Sequence, residues 1–505
     1  MRTPAGWLRA LRACWIFPAA IAWKFLLALA FALPVPANDA FFFDGAVVEW
    51  LGGGGYVNPT IGQVFPTSAT AFFSAYPPGY QAVLAVWMTL FGPTVEASLA
   101  LHCALFAVYA LLALAVLRRA GAPAFAANLG GCFLFGITFH DRPDSLAHVL
   151  GLLAFWLWLE PDPARARRRR PWAALCAVLA MATSLHIGAM YAAMLWGCAA
   201  LRAKTCGWPW RSLLATIVVP VGLALLVVKY SPTAWQGFQE NLATQNSVRF
   251  RLPAADDVAR AIRYAPGLMV VAGFMLAAAL RRRPMLRREE PGSSAAPVLG
   301  ALLGASGFAV VASLCVAPPY YVAIAAYPQV LVVALWFWLR PEETFAARPF
   351  RRRARTAALA GAIALVSLRA IALSTWGVWC ALDVGKSAAV AEARRAVEAL
   401  PVGAEVVVSS AYLYDLAGDN RVKKIHSDWI GRYGPAGGAR PALFVLTPFD
   451  YYRRFRDELA AKRSEMKSLT VSEIRRRPVP DESRWLQRVA PHLSWAPVIV
   501  RVEWR

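Results

Sequence analysis

The segment 95-VEASLALHCALFAVYALLALAVLRR-119 decides the fold class of this chain. Its apolar run is continuous rather than alternating, which is the pattern of a buried or membrane helix and not of a half-buried strand. A run of roughly 20 apolar residues is long enough to cross the hydrocarbon core of a bilayer. Arg118 and Arg119 end the run, as is typical of the cytoplasmic end of a span. The segment therefore predicts a transmembrane helix over residues 95–117.

Similar apolar runs recur along the whole chain. Of its 505 residues, 58% are hydrophobic and only 16% are charged, and the mean hydropathy is +0.45. Because helices satisfy their own backbone groups in lipid, we expect a polytopic α-helical membrane protein with about 11 transmembrane helices. The other predicted spans cover residues 14–34, 122–139, 145–160, 172–187, 188–202, 212–230, 265–281, 296–316, 321–340 and 356–378.

The net charge of +23 is concentrated between the apolar runs. The densest clusters are 164-ARARRRR-170, 281-RRRPMLRR-288 and 351-RRRAR-355. No basic face interleaved with aromatic residues accompanies them, so nucleic acid is not an expected partner. Basic loops that alternate with spans are the orientation signal of membrane proteins. They predict a cytoplasmic N-terminus and an extracytoplasmic C-terminal region.

The first predicted span has an alternative interpretation. Its arginine-rich start, apolar centre and following 34-PVPAND-39 are also compatible with a cleaved signal peptide. We favour an uncleaved anchor, because the side chain of Lys24 is long enough to reach the membrane interface.

Two regions predicted on the outward side are long. We predict a transmembrane catalytic domain over 1–378, with an outward loop over 35–94, and a small extracytoplasmic α/β domain over 379–505. The elements predicted inside these regions are an interfacial helix over 79–92, a helix over 387–400 and strands over 404–410, 442–448 and 497–504.

The first outward loop begins with two candidate catalytic acids, Asp39 and Asp44. They follow the first predicted span directly, on the outward side of the membrane. If the segment is helical, the two acids lie about 140° apart around the helix axis and do not share one face. The alternative is that Asp39 caps the N-terminus of that helix.

The stretch 140-HDRPD-144 places several ionisable groups in a short outward loop. Asp141 and Asp144 are candidate ligands for a divalent metal, Mg²⁺ or Mn²⁺, and Asp144 is also a candidate catalytic residue. Arg142 is a candidate fork for a phosphate. The alternative is a helix cap at Asp144 with an Asp–Arg pair.

Further candidates for substrate contact share a predicted position at the outward face. They are Tyr76, Tyr80, His186, Arg249, Arg251, Tyr320 and Tyr321. Tyrosines at a membrane interface also serve as anchors, and a lone histidine is also compatible with a satisfied interior position. The sequence has no Walker A, GxSxG or HExxH motif, so we expect no nucleotide cofactor.

Four short motifs, in this order, resemble those of the GT-C membrane glycosyltransferases. They are 38-NDA-40, 77-PPGYQAVLAVWMTLFG-92, 142-RPDSLA-147 and 320-YYVAIAAYP-328. The likeness is to the bacterial branch of glycosyltransferase family 39 and its relatives, which include protein O-mannosyltransferases and lipid A aminoarabinose transferases. The sequence departs from the pattern at Asn38, where the family has an acid, and at Pro318 and Pro319, where it often has a basic residue.

The resemblance implies a GT-C-like enzyme of the bacterial inner membrane. Such an enzyme transfers a sugar, with inversion, from a polyprenyl-phosphate donor to an extracytoplasmic lipid, glycan or protein acceptor. It implies Asp39 as the general base, with Asp44 as its rival, and Arg142, Arg249 or Arg251 against the leaving phosphate. Three alternatives remain: a lipid or solute transporter, a polymerase or ligase of lipid-linked glycans, and a non-enzymatic assembly protein.

Overall fold

The computed structural model describes residues 4–36, 39–136, 142–160, 162–206, 209–249, 349–428, 440–474 and 493–505. Up to residue 383 the regular elements of the described residues are helices. Many of the longer ones coincide with predicted spans, whereas the helix over Pro232–Arg249 lies in a segment without a continuous apolar run and was not predicted. The helices are α1 (Pro4–Ala13), α2 (Ile16–Phe31), α3 (Ala40–Leu51), α4 (Pro66–Thr70), α5 (Gly79–Phe91), α6 (Val95–Arg119), α7 (Ala124–Gly131), α8 (Asp144–Trp158), α9 (Pro163–Met181), α10 (Leu185–Cys206), α11 (Trp210–Tyr230), α12 (Pro232–Arg249) and α13 (Pro349–Asp383).

Two of the described helices, α6 and α11, are long and apolar enough to cross a bilayer. Shorter apolar helices coincide with most of the other predicted spans in the described part of the chain. The predicted spans over 265–281, 296–316 and 321–340 lie outside the described residues. The expected total of about 11 spans therefore stays a prediction.

The boundaries of several predicted spans need correction. The division predicted between residues 187 and 188 lies inside α10, because α9 ends at Met181 and α10 begins at Leu185. The expected span over 14–34 is divided, because α1 ends at Ala13 and α2 begins at Ile16. The expected span over 122–139 is an α-helix only to Gly131 and continues as a 3₁₀ helix over Cys132–Gly136. Nζ of Lys24 donates to the carbonyl of Phe135 in this 3₁₀ turn at 3.2 Å. This bond ties the half-buried side chain of Lys24 to the backbone of the neighbouring 3₁₀ turn.

Close helix packing around α6 and α8 builds the frame of the molecule. The helix α8 packs against α6, α9 and α10, and α6 also packs against α2. A side chain at Gly151 of α8 would place its Cβ 2.1 Å from the ring of Tyr191 on α10. Glycine at this position therefore allows α8 and α10 to approach closely, as small residues do at membrane helix interfaces.

One end of this bundle collects positions predicted to be cytoplasmic. Glu160, just after α8, lies 3.4 Å from Nη2 of Arg119 at the end of α6. It also pairs with Arg169 of α9. The positions predicted to be outward, including Asp144 at the start of α8, lie at the other end of the same helices.

The described C-terminal residues contain one five-stranded sheet. Its order is β2-β1-β3-β5-β4, with β1 parallel to β2 and β3, and β5 antiparallel to β3 and β4. The elements are α14 (Lys386–Glu398), β1 (Glu405–Val408), α15 (Ser410–Leu416), β2 (Lys423–His426), β3 (Leu443–Leu446), α16 (Pro448–Asp450), α17 (Arg456–Ala461), β4 (Met466–Glu473) and β5 (Val498–Trp504).

The predicted helix over 387–400 and the three predicted strands coincide with α14, β1, β3 and β5. The strands β2 and β4 were not predicted, because neither presents an apolar run. Two contacts join this region to the helices near the site. The indole of Trp495 donates to the carbonyl of Ala32 at 3.1 Å, and the backbone N–H of Phe41 donates to Oγ of Ser410 at 3.4 Å. The boundary between residues 378 and 379 stays a prediction, since α13 continues to Asp383.

Candidate active site

One arginine joins the two outward loops singled out in the sequence. Nη1 of Arg142 lies 2.6 Å from Oδ2 of Asp39, and Nε of Arg142 lies 2.8 Å from Oδ2 of Asp144. The Asp39 side chain is 22% exposed and that of Asp144 is 4% exposed. We call these three residues the arginine clamp. Asp39 is its more accessible carboxylate.

Helix capping does not account for either acid of the clamp. Asp39 is the N-cap residue of α3, but its side chain makes no capping hydrogen bond. Asp144 is the first residue of α8, after an N-cap at Pro143. Both carboxylates bond the guanidinium of Arg142 instead. The capping alternatives are therefore not supported, whereas the Asp–Arg pair named in the second alternative is present between Arg142 and Asp144.

Two further predicted residues lie beside Asp144. Its Oδ1 accepts a hydrogen bond of 2.6 Å from Oγ of Ser184, in the turn between α9 and α10. Nε2 of His186 lies 3.5 Å from the same oxygen, and its side chain is 41% exposed. The hydroxyl of Tyr76 lies 3.5 Å from Oγ of Ser184. Tyr76 and His186 thus belong to the surroundings of the clamp.

The charge of the clamp bears on what it can bind. Two carboxylates face one guanidinium, which leaves one net negative charge when His186 is neutral. The guanidinium also lies over the ring of Phe43, 5.5 Å from its centroid, a cation–π contact that restricts its orientation. To bind a phosphate through Nε or Nη1, Arg142 must first release a carboxylate. A net negative site with an accessible carboxylate favours proton abstraction.

Asp44 lies in a separate, buried network. The residue is 2% exposed. Oδ1 accepts from the hydroxyl of Tyr80 at 3.0 Å, and Oδ2 accepts from Ser98 at 2.6 Å and Tyr414 at 2.7 Å. Burial raises the pKa of the Asp44 carboxyl to about 6, although the three hydroxyl hydrogen bonds lower it. Because both oxygens are occupied inside the protein, the geometry favours Asp39 over Asp44 as the general base.

Tyr80 has an internal role instead of the expected contact with a substrate. It is 1% exposed, and its hydroxyl bonds Asp44 and lies 3.0 Å from Nε2 of His102. Sequence reasoning missed His102 and Ser98. They are polar residues four positions apart in the apolar run of α6, so they share one helix face. That pairing was the available signal, because polar groups within a span face the protein interior.

The remaining candidates are not placed by the structure. The side chain of Arg249, the last residue of α12, is not described. The candidates that lie outside the described residues are Asp141, Arg251, Tyr320 and Tyr321, and the motif residue Asn38 does too.

The arginine clamp does not fit a divalent metal ion. Arg142 lies between Asp39 and Asp144, where a bridging cation would have to sit, and supplies the positive charge itself. In the described ranges, no three His, Cys, Asp or Glu side chains are grouped in a way that could hold a metal ion. The proposed reaction therefore includes no step that uses a metal ion. Asp141, the other predicted metal ligand, lies outside the described residues.

No protein-family profile matches the chain, and no curated protein matches its sequence. Among solved structures, it is similar to ArnT from Cupriavidus metallidurans in the apo state, with 15% identity, 98% of each chain covered and a TM-score of 0.51. That likeness extends over nearly the whole of both chains and shows a shared fold. The shared fold is that of a polytopic membrane protein.

Two further solved structures are similar at lower scores. One is the same ArnT bound to undecaprenyl phosphate, with 15% identity, 99% of this chain and 98% of that chain covered, and a TM-score of 0.49. The other is the arabinosyltransferase EmbB from Mycobacterium smegmatis, with 16% identity and a TM-score of 0.42. It covers 66% of this chain and 31% of the EmbB chain.

Proposed function

We propose that this protein is a membrane glycosyltransferase that moves a sugar from a polyprenyl-phosphate donor to an extracytoplasmic acceptor. The observation that carries the proposal is the arginine clamp, which holds an accessible carboxylate, Asp39, at one end of the helix bundle. The fold shared with ArnT supports it. A lipid-linked donor also accounts for the lack of a nucleotide-binding motif, since the sugar arrives already activated.

Asp39 acts as the general base in this proposal. It takes the proton of the acceptor hydroxyl while the hydroxyl oxygen attacks the anomeric carbon of the donor. The bond between that carbon and the phosphate oxygen breaks, and its electron pair leaves with the polyprenyl phosphate. Attack from the face opposite the phosphate inverts the anomeric configuration.

Arg142 has two roles that follow from its contacts. It orients the carboxylate of Asp39, because Nη1 of the guanidinium lies 2.6 Å from Oδ2. When the donor binds, the phosphate competes with the carboxylates for the fork of Arg142. Asp144 retains its hydrogen bond from Ser184 during that exchange.

The location of the reaction follows from the predicted orientation. We propose the bacterial inner membrane, with the N-terminus in the cytoplasm and the C-terminal region outside. The clamp then lies at the outward membrane surface, where the donor phosphate resides, and the polyprenyl tail lies between spans.

Transfer can be tested with the purified protein in nanodiscs and an undecaprenyl-phosphate-linked pentose or hexose with a labelled sugar. The wild type should release undecaprenyl phosphate and form a product of inverted configuration. Asp39→Asn should lose both reactions. Asp419→Asn is a matched control, because Asp419 also pairs with an arginine, Arg421, and is 19% exposed. A transporter would leave the bond between sugar and phosphate intact, and that result would refute the proposal.

A further inference from the structure

One hydroxyl of the C-terminal region bonds the first outward loop from 370 residues away along the chain. It belongs to Tyr414 in α15 and donates a hydrogen bond of 2.7 Å to Oδ2 of Asp44. The Tyr414 ring packs edge-on against Phe41 of α3 at 5.1 Å, which fixes its position between the two helices. We propose that Tyr414 is a positioning residue for the candidate active site and acts through Asp44 on Arg142. This inference rests on the proposed function of that site.

Buried hydrogen bonds connect Asp44 to the backbone of Arg142. The hydroxyl oxygen of Tyr80 lies 3.0 Å from Oδ1 of Asp44 and 3.0 Å from Nε2 of His102. Nδ1 of His102 lies 3.2 Å from Oγ of Ser145, which is 3.1 Å from the carbonyl oxygen of Arg142. We call these bonds the relay. Its linking side chains are buried, so bulk water does not replace a lost member.

The hydrogen bonds of the relay can run in either of two directions, which we call its two orders. This is so because each hydroxyl and each neutral imidazole carries one hydrogen that it can donate to either neighbour. When Asp44 is ionised, Tyr80 donates to it and accepts from Nε2–H of His102. Nδ1 of His102 then accepts the proton of Ser145. In this order the carbonyl of Arg142 receives no hydrogen bond from Oγ of Ser145.

The opposite order follows when Asp44 is protonated on Oδ1. The carboxyl donates to Tyr80, and Tyr80 donates to Nε2 of His102. The other tautomer of His102 donates from Nδ1 to Ser145, which frees the proton of Ser145 for the carbonyl of Arg142. The charge of Asp44 therefore decides whether Oγ of Ser145 donates to this carbonyl in addition to the backbone N–H of Ser145, which lies 3.4 Å from it. Arg142 also carries the guanidinium of the clamp.

Tyr414 sets the balance between the two orders. Its hydroxyl and that of Ser98 both donate to Oδ2 of Asp44, and hydrogen bonds to a carboxylate favour its ionised form. The titratable groups that face Asp44 in the described residues are Tyr80 on α5, Tyr414 on α15 and, through Tyr80, His102 on α6. Loss of the Tyr414 hydroxyl raises the pKa of Asp44 further above its present value of about 6. The protonated order then extends to higher pH.

A matched control lies two residues away on the same helix. Tyr412 is as deeply buried as the relay, and its hydroxyl donates to the carbonyl of Trp495 at 2.6 Å. Tyr412→Phe thus removes one buried hydroxyl from α15 without touching Asp44. Ser98→Ala provides a second test, because it removes the other donor to Oδ2 and leaves Tyr414 in place.

The experiment compares full-length Tyr414→Phe, Tyr412→Phe and Ser98→Ala proteins in nanodiscs. A hydrogen bond to an ionised group is worth about one to two pKa units. The acidic limb of the kcat profile should therefore move up by about one to two pH units in Tyr414→Phe and in Ser98→Ala. At pH 6.5 this shift should lower the kcat of both variants about tenfold, and kcat should recover at pH 9. The KM for the donor should change little. Tyr412→Phe should keep the wild-type profile.

A second readout does not depend on turnover. Hydrogen exchange of the backbone over residues 142–150 should change in Tyr414→Phe and stay at the wild-type rate in Tyr412→Phe. An equal loss of kcat at every pH, or an unchanged exchange rate over 142–150 in Tyr414→Phe, would overturn the inference. If the wild type transfers no sugar, the proposed function fails, and the exchange comparison still decides whether Tyr414 acts on the segment of Arg142.

Discussion

Removal of the Arg142 side chain should destabilise the protein mainly through Asp144 and only weakly through Asp39. The two ion pairs have similar lengths, 2.6 and 2.8 Å, but the Asp144 side chain is 4% exposed and that of Asp39 is 22% exposed. A buried carboxylate that loses its partner cannot recover full solvation, which costs about 3 kcal/mol or more. A more exposed carboxylate is rehydrated, and its pair contributes about 1 kcal/mol or less.

Double-mutant cycles measure this difference directly. We expect a coupling free energy of about 2–3 kcal/mol between Arg142→Ala and Asp144→Asn, and of about 1 kcal/mol or less between Arg142→Ala and Asp39→Asn. The assay is equilibrium unfolding of the full-length protein in mixed micelles. The ion pair of Arg421 and Asp419 is a control, because its N–O distance of 2.8 Å equals that of Arg142 and Asp144 while its side chains are more exposed. Its coupling should be smaller than that of Arg142 with Asp144.

Equal couplings for the two carboxylates of the clamp would refute this reasoning. Such a result would mean that Asp144 is hydrated as freely as Asp39. The hydrogen bond from Ser184 would then not indicate that Asp144 is desolvated. The difference in burial would no longer explain why Asp39 and Asp144 have different roles.

Three further predictions concern packing, orientation and metal dependence. Gly151→Ala should destabilise the protein by about 1–3 kcal/mol, since its Cβ would meet the ring of Tyr191 at 2.1 Å. Gly197→Ala is the control and should not destabilise the protein, because the space around its Cβ is open. Equal stabilities of the two variants in thermal unfolding would contradict this prediction. A cysteine placed after residue 378 should be labelled by an impermeant reagent from outside the cell; labelling only after lysis would reverse the proposed orientation. Treatment with a metal chelator should leave sugar transfer unchanged, because Arg142 occupies the space between the two carboxylates; a loss restored by Mg²⁺ or Mn²⁺ would contradict it.

The sequence predicts those parts of the fold that depend on local apolar pattern. The helix α6 and the strands β1, β3 and β5 follow from continuous apolar runs. The strand β2, with the sequence 423-KKIH-426, was missed because it borders the sheet and carries two lysines. The break between α1 and α2 was also missed, since the apolar character continues through it.

The candidate site was predictable only as a set of residues on one side. Alternating basic loops placed Asp39 and Asp144 on a common face, but no periodicity indicates that Arg142 bridges them. The hydrogen bond from Tyr414 to Asp44 is even harder to predict from the sequence, because it joins positions 370 residues apart. Such contacts depend on how the C-terminal region packs on the helices, and a single sequence does not encode that in a local pattern.

The central claim is that Asp39 is the base of a sugar transfer, with Asp44 as an internal hydrogen-bond acceptor. The most direct test is single-turnover release of undecaprenyl phosphate from a labelled donor by Asp39→Asn and Asp44→Asn, each checked for folding. General base catalysis supplies about a hundredfold or more in rate. Asp39→Asn should therefore lower the rate by about a hundredfold or more, and Asp44→Asn should retain more activity than Asp39→Asn. Near-normal turnover by a folded Asp39→Asn protein would contradict the account.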